Sequence, residues 1–346
     1  MKLLIAEKPS VAQDIAAVVG ADKRRTGYLE GNGWIVSWCY GHLVDLADPP
    51  TYNPELSQWS LETLPILPEQ FQTVIGEKTK DQFERVKELM ARADVTELVE
   101  ATDAGREGEL IFRLVYDKAD CKKPFSRLWL SSMEHTAIKK ALGEMKPGKD
   151  YDLLYEAARC RQQADWLVGM NLTRLYSKMY DSRLPVGRVQ TPTVALVVQR
   201  GREIENFQPE KYFVVTADFG GFSGSARLPT QRQAAELTER CRGADGYVTR
   251  VTEREISKQA PALLDLTALQ REANRLCGYT AQETLDTLQQ LYEAKLCTYP
   301  RTDSRYITED MRQTAEGLLT GLAGLGLLPP DHQNDVGKVV NDAEVR

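Results

Sequence analysis

The chain has no excess of positive charge: 44 Lys and Arg stand against 50 Asp and Glu, a formal net charge of −6 over 346 residues. That balance argues against a protein that merely coats nucleic acid, whose footprint is basic, and leaves a local basic patch as the route to such a partner. There is no CxxC pair among the six cysteines, Cys39, Cys121, Cys160, Cys241, Cys277 and Cys297. Their scatter among mostly apolar neighbours predicts a reduced protein without structural zinc. No apolar stretch approaches the ~18 residues of a membrane span. The N-terminal apolar run ends at Glu7 and Lys8, too short for a signal peptide, so a soluble cytoplasmic protein is expected. Internal repeats and low-complexity tracts are absent as well.

What is present is length, and 42% hydrophobic residues, enough for sizeable cores and more than one domain. Residues 1 to about 150 alternate short expected strands (Leu3 to Ala6, Trp34 to Trp38, Leu98 to Ala101, Ser126 to Leu130) with helical stretches. This pattern predicts an α/β layer structure with a mainly parallel sheet. The proline-rich stretch around Asp48-Pro49-Pro50-Thr51 and Pro65 to Pro68 is expected to be irregular. From Leu153 to about Phe207 the pattern is helical, with a break at Leu184-Pro185-Val186-Gly187. Two strands, Tyr212 to Thr216 and Tyr247 to Val251, are expected to flank a Gly220-Gly221 turn, with a helix from Ala234 to Cys241. Thr267-x-x-Gln270 and Thr280-x-x-Glu283 read as capping boxes of two later helices, with Gly278 ending the first.

Two segments carry chemistry. In Thr298-Tyr299-Pro300-Arg301-Thr302-Asp303-Ser304-Arg305, a tyrosine that could form a covalent intermediate lies two residues from a guanidinium able to stabilise developing negative charge. The same residues also read as an ordinary turn. Near residue 100, an apolar run leads into Thr102-Asp103-Ala104-Gly105-Arg106-Glu107-Gly108-Glu109 and then a helical pattern. The N-terminus repeats the plan, with Glu7 and Lys8 ending a strand and Pro9-Ser10 opening a helix. Carboxylates at the C-terminal ends of parallel strands face the crevice where such sheets bind ligands, and grouped oxygen donors suit Mg²⁺. Acidic surface turns are common enough that spacing alone leaves the point open. Between Arg159 and Arg188 the chain is locally basic, with Arg174, Lys178 and Arg183 among its cations; it reads either as a solvated helix face or as a nucleic-acid contact. Tyr176 and Tyr180 could stack on bases, whereas Trp166 reads as core.

Together these residues resemble the type IA DNA topoisomerases, with wording nearest the topoisomerase III subgroup. The matching segments are Ala6 to Ser10, Gly41-His42-Leu43, Ala101 to Glu109, Arg161 to Gly169, Gly187 to Thr191 and Thr298 to Arg305, in family order over nearly the whole chain. The resemblance implies a multidomain toroidal enzyme. Its domains would be a TOPRIM metal-binding domain over 1–150, a helical DNA-binding segment over 151–207, a β-rich arch segment over 208–262, and an incomplete helical domain with the catalytic tyrosine over 263–346. It also implies ATP-independent, Mg²⁺-dependent cleavage of single-stranded DNA through a 5′-phosphotyrosine, then strand passage and religation, relaxing negative supercoils or decatenating. Single-stranded DNA is the expected partner, with a helicase as a further candidate, no membrane, and a monomeric chain.

Carried onto this sequence, the resemblance assigns Tyr299 as nucleophile, Arg301 as oxyanion stabiliser, and Lys8 beside Glu7 as the group that holds the phosphate and protonates the departing oxygen. Glu7, Asp103 and Glu107 are the implied Mg²⁺ ligands, and Arg161, Asp165, Arg188 and Gln190 the implied DNA contacts. His42 is read as structural. The chain departs from the family's Asp-x-Asp-x-Glu pattern at Gly105, which predicts one metal site rather than two. The family's His-containing segment is also expected beyond the last residue here. Another TOPRIM enzyme, such as a primase or nuclease, would not need Tyr-Pro-Arg-Thr-Asp; a non-catalytic single-stranded DNA-binding fragment remains the alternative.

Overall fold

The computed structural model describes residues 1–130, 133–256, 261–294, 296–297, 304–329 and 335–345. Its first part runs β1 (Lys2–Ala6), α1 (Pro9–Val19), β2 (Lys23–Arg25), β3 (Tyr28–Gly31), β4 (Trp34–Trp38), β5 (Val44–Leu46) and α2 (Pro49–Tyr52). There follow β6 (Thr73–Ile75), α3 (Lys80–Ala91), β7 (Glu97–Ala101), α4 (Arg106–Lys118), β8 (Phe125–Arg127), α5 (His135–Gly143) and β9 (Lys146–Pro147). Seven strands form one sheet in the order β2-β3-β4-β1-β7-β8-β9. Its centre, β4-β1-β7-β8, is parallel as expected, and both edges are antiparallel.

Alternation along the strands divides the core between the two faces. Leu3, Ile5, Ile35 and Leu98 pack with Phe83, Val86 and Met90 of α3 and with Phe112 and Val115 of α4. Leu4, Ala6, Val36 and Val99 pack with Ala12, Ile15 and Val19 of α1 and with Ile138 of α5. Helices therefore cover both faces, as a buried parallel sheet requires.

The long helix α6 (Asp152–Met179) covers the proline-rich stretch. Trp166 is core as read: its ring meets Tyr52 and Phe71 edge-on, at 5.9 and 5.5 Å, and its Nε1 donates to the Ala47 carbonyl at 3.0 Å. Asn171 brackets Ile66, accepting from its amide at 2.6 Å and donating to its carbonyl at 3.0 Å. Arg174 departs from the solvated-face reading. It is buried, donates to the Leu56 carbonyl at 2.7 Å, and lies against the Trp59 ring.

Contacts divide the chain into two compact units, Met1–Gly187 with Pro261–Arg346, and Arg188–Ala260. The second holds α7 (Gln190–Glu205), a hairpin of β10 (Phe213–Asp218) and β11 (Ser223–Leu228), and α8 (Gln231–Cys241). The hairpin turns at Gly220-Gly221 as predicted, with Gly220 at φ +77°, but its second strand is Ser223–Leu228. Tyr247 to Val251 forms no strand: the register pairs Phe213 with Leu228 and Asp218 with Ser223, which already completes the hairpin.

The C-terminal part contains α9 (Leu266–Cys277), α10 (Ala281–Glu293) and α11 (Arg312–Gly324). The Thr280–Glu283 capping box is present, and Gly278 ends α9 in the left-handed region at φ +74°. The cap of α9 is Asp265, which accepts from the Ala268 amide at 2.7 Å, not Thr267. A carboxylate two residues earlier outcompetes the hydroxyl because it accepts more strongly.

Candidate metal and phosphate site at the strand ends

Register places the site. Ala6 pairs with Trp38 on one side and Ala101 on the other, so the chains leave β1, β4 and β7 at one level. Glu7 and Lys8 follow β1, Gly41 and His42 follow β4, and Thr102 and Asp103 follow β7. Backbone bonds hold the exits together: the Cys39 amide donates to the Ala6 carbonyl at 2.8 Å and Gly41 to Glu7 at 3.3 Å.

Glu7 is largely buried, and its Oε2 accepts from the Asp103 amide at 3.2 Å. Lys8 lies between the two acids, its Nζ 3.5 Å from Glu7 Oε1 and 3.4 Å from Asp103 Oδ2. Burial, and then the Asp103 charge, raise the Glu7 carboxyl above its ordinary range, opposed by Lys8. Glu107, in the first turn of α4, is exposed, and its Oε1 lies 2.7 Å from His42 Nε2. The chain thus gathers Glu7, Lys8 and Asp103, while the third acid is held by a histidine. Among the described residues, no three His, Cys, Asp or Glu side chains are grouped closely enough to hold a metal ion.

The turn carrying Asp103 leaves no room for side chains on its inner side. A Cβ on Gly108 would stand 2.1 Å from the Asp103 carbonyl oxygen, so the first turn of α4 approaches this closely only as glycine. A Cβ on Gly105 would meet nothing within 4 Å, so the missing second aspartate is not excluded by space.

Arg161 and Asp165 lie one helical turn apart on α6, both half-buried; Arg188 and Gln190 are exposed near the start of α7. Tyr299 and Arg301 lie outside the described residues. His42, read as structural, is the partner of Glu107, so the Gly41-His42-Leu43 segment meets the acidic motif here.

Comparison with known families supplies the deciding observation. A family described as "Toprim domain" matches residues 2–133, and one described as "DNA topoisomerase" matches residues 149–341. The chain belongs to the type IA DNA topoisomerase family.

This topoisomerase chain is 44% identical over 318 residues to DNA topoisomerase 3 of Bacillus cereus, covering 89% of this chain and 44% of that protein. It is 43% identical over 329 residues to that of Bacillus subtilis, covering 92% and 45%. For Staphylococcus epidermidis the figures are 41% over 346 residues, 99% and 48%. The chain therefore spans less than half the length of these curated relatives. Full-length topoisomerase I from Thermotoga maritima shares the fold, with a TM-score of 0.65 at 23% identity over 99% of this chain and 58% of that one. No described helix is long and apolar enough to cross a membrane.

Toprim domains bind divalent metal ions in topoisomerases, and the residues here suit one. Glu7 and Asp103 offer hard oxygen donors and already share the cation of Lys8.

Proposed function

We propose that this chain carries the cleavage centre of a type IA topoisomerase and cuts single-stranded DNA through Tyr299. The observation that supports it most is the meeting of Glu7, Lys8 and Asp103 at in-register strand ends in a chain that also carries Tyr299-Pro300-Arg301. The Tyr299 oxygen, its phenolic proton passing to solvent, bonds to the phosphorus as the bond to the 3′-oxygen breaks, leaving a 5′-phosphotyrosine and a 3′-hydroxyl. Lys8 holds the phosphate and gives the leaving oxygen its proton, with Glu7 and Asp103 fixing the ammonium. Arg301 stabilises the charge gathering on the equatorial oxygens. Glu7, Asp103 and Glu107 would hold one Mg²⁺ ion, which, when bound, supplies charge neutralisation at the DNA phosphate for religation. Arg161, Asp165, Arg188 and Gln190 grip the strand. Relaxation or decatenation by strand passage, a helicase partner, a monomeric state and a cytoplasmic location belong to the same reading.

The test mixes the chain with Mg²⁺ and a 3′-labelled single-stranded oligonucleotide, then quenches with denaturant. Label on the wild-type protein and none on Tyr299→Phe supports the reading. DNA binding with no adduct overturns cleavage by this chain and leaves a single-stranded DNA-binding protein.

A further inference from the structure

We infer that Arg127 is a positioning residue that holds the Asp103 turn in the shape metal binding requires; this rests on the reading of Glu7 and Asp103 as metal ligands. Arg127 is the last residue of β8 and is 1% exposed. Its two terminal nitrogens go to backbone: Nη1 donates to the Thr102 carbonyl at 2.8 Å and to the Leu128 carbonyl at 3.1 Å, and Nη2 to the Asp103 carbonyl at 2.8 Å. Two consecutive carbonyls of the turn are thus fixed by one rigid fork, a geometry an ammonium cannot copy.

The fork is itself held. Its Nε is 2.8 Å from Glu109 Oε1, an ion-pair distance without an aligned N–H, and 3.5 Å from Glu100 Oε1. Glu109 and Glu100 are fully buried, and Glu109 also meets Arg113 at 3.4 Å. Trp129 covers the guanidinium, its ring centroid 5.1 Å away. From the other side, Thr102 Oγ1 donates to the Gly108 carbonyl at 2.9 Å, tying the turn to α4. A buried charge placed on the backbone of a ligand-bearing turn does for that ligand what outer hydrogen bonds do for metal-bound histidines.

The experiment compares wild type, Arg127→Lys, Glu109→Gln and Asp103→Asn, using Mn²⁺ as probe and the free-ion EPR signal as readout, without DNA. Thermal unfolding and oligonucleotide binding in EDTA report the fold. Arg127→Lys is expected to keep both, the latter within about twofold, and to weaken Mn²⁺ binding by roughly 10- to 100-fold. In adduct formation, the half-saturating metal concentration rises while the plateau at excess metal recovers. Mn²⁺ affinity within about twofold of wild type in folded Arg127→Lys overturns the inference while leaving the metal reading intact. Absence of binding in wild type overturns both. Should Arg127→Lys not fold, Glu109→Gln, which removes the charge 2.8 Å from the Arg127 Nε, decides by the same criterion.

Discussion

Strands β1, β4 and β7 each carry four buried residues in five, whereas in Arg188–Ala260 Ala234 alone is buried among the described residues. The apolar residues Val194, Leu196 and Val197 of α7 are 61% to 68% exposed. The contrast separates two ways of placing a functional side chain. Glu7 and Asp103 are set by a register that cannot slip without turning buried faces to water. Arg188 and Gln190 sit in a unit shaped by local signals, a glycine turn and the Thr230 cap of α8.

The contrast breaks if the two units respond alike to truncation. Phe83→Ala, in the packed face of α3, is expected to lower stability by about 3–5 kcal/mol. Val197→Ala should stay within about 0.5 kcal/mol. Chemical denaturation of both measures the difference. Within the strand-end site, Lys8→Met should lower adduct formation by ~10²-fold or more while leaving DNA binding measurable, if its proton serves the leaving oxygen. Thr280→Ala removes a capping box from α10 and should cost about 1 kcal/mol, read as a shift in unfolding midpoint.

Gly105→Asp should fold with a stability change within about 0.5 kcal/mol, because its Cβ has open space, and should tighten or add a Mn²⁺ site in titration. Gly108→Ala, whose Cβ would collide with the Asp103 carbonyl, should instead weaken it. The smallest change is chemical. Burial pushes the Cys39 thiol up to about 12, so at neutral pH iodoacetamide should label exposed Cys160, Cys241 and Cys277 and spare Cys39 until the core opens.

Much of the fold was legible because each element announced itself locally. The apolar runs at Leu3 and Leu98, the break at Pro185-Val186-Gly187, the Gly220-Gly221 turn and the Thr280 cap each depend on neighbours within a few residues. The edge strand β2 was not legible, since Lys23, Arg24 and Arg25 are all exposed and show no apolar alternation. Tyr247 to Val251 has strand composition but finds no partner, and composition does not supply one. At the site, the acids and Lys8 sit in motifs, but Arg127 does not, and nothing in Ser126-Arg127-Leu128 tells which distant carbonyls its guanidinium meets.

The amino-acid sequence by itself determined the kinds of groups available: two strand-end acids, a lysine beside one of them, a tyrosine followed by an arginine, and glycines where the backbone must turn or close up. Short-range sterics and side-chain chemistry suffice for that. Tertiary structure alone decided that β4, β1 and β7 end at one level, that Lys8 bridges Glu7 and Asp103, that His42 takes Glu107, and that Arg127 is buried on the Asp103 turn. Apart from the neighbours Glu7 and Lys8, those pairings join residues 24 to 95 positions apart in sequence, from Asp103–Arg127 to Lys8–Asp103, and exist only once the sheet has fixed their distance.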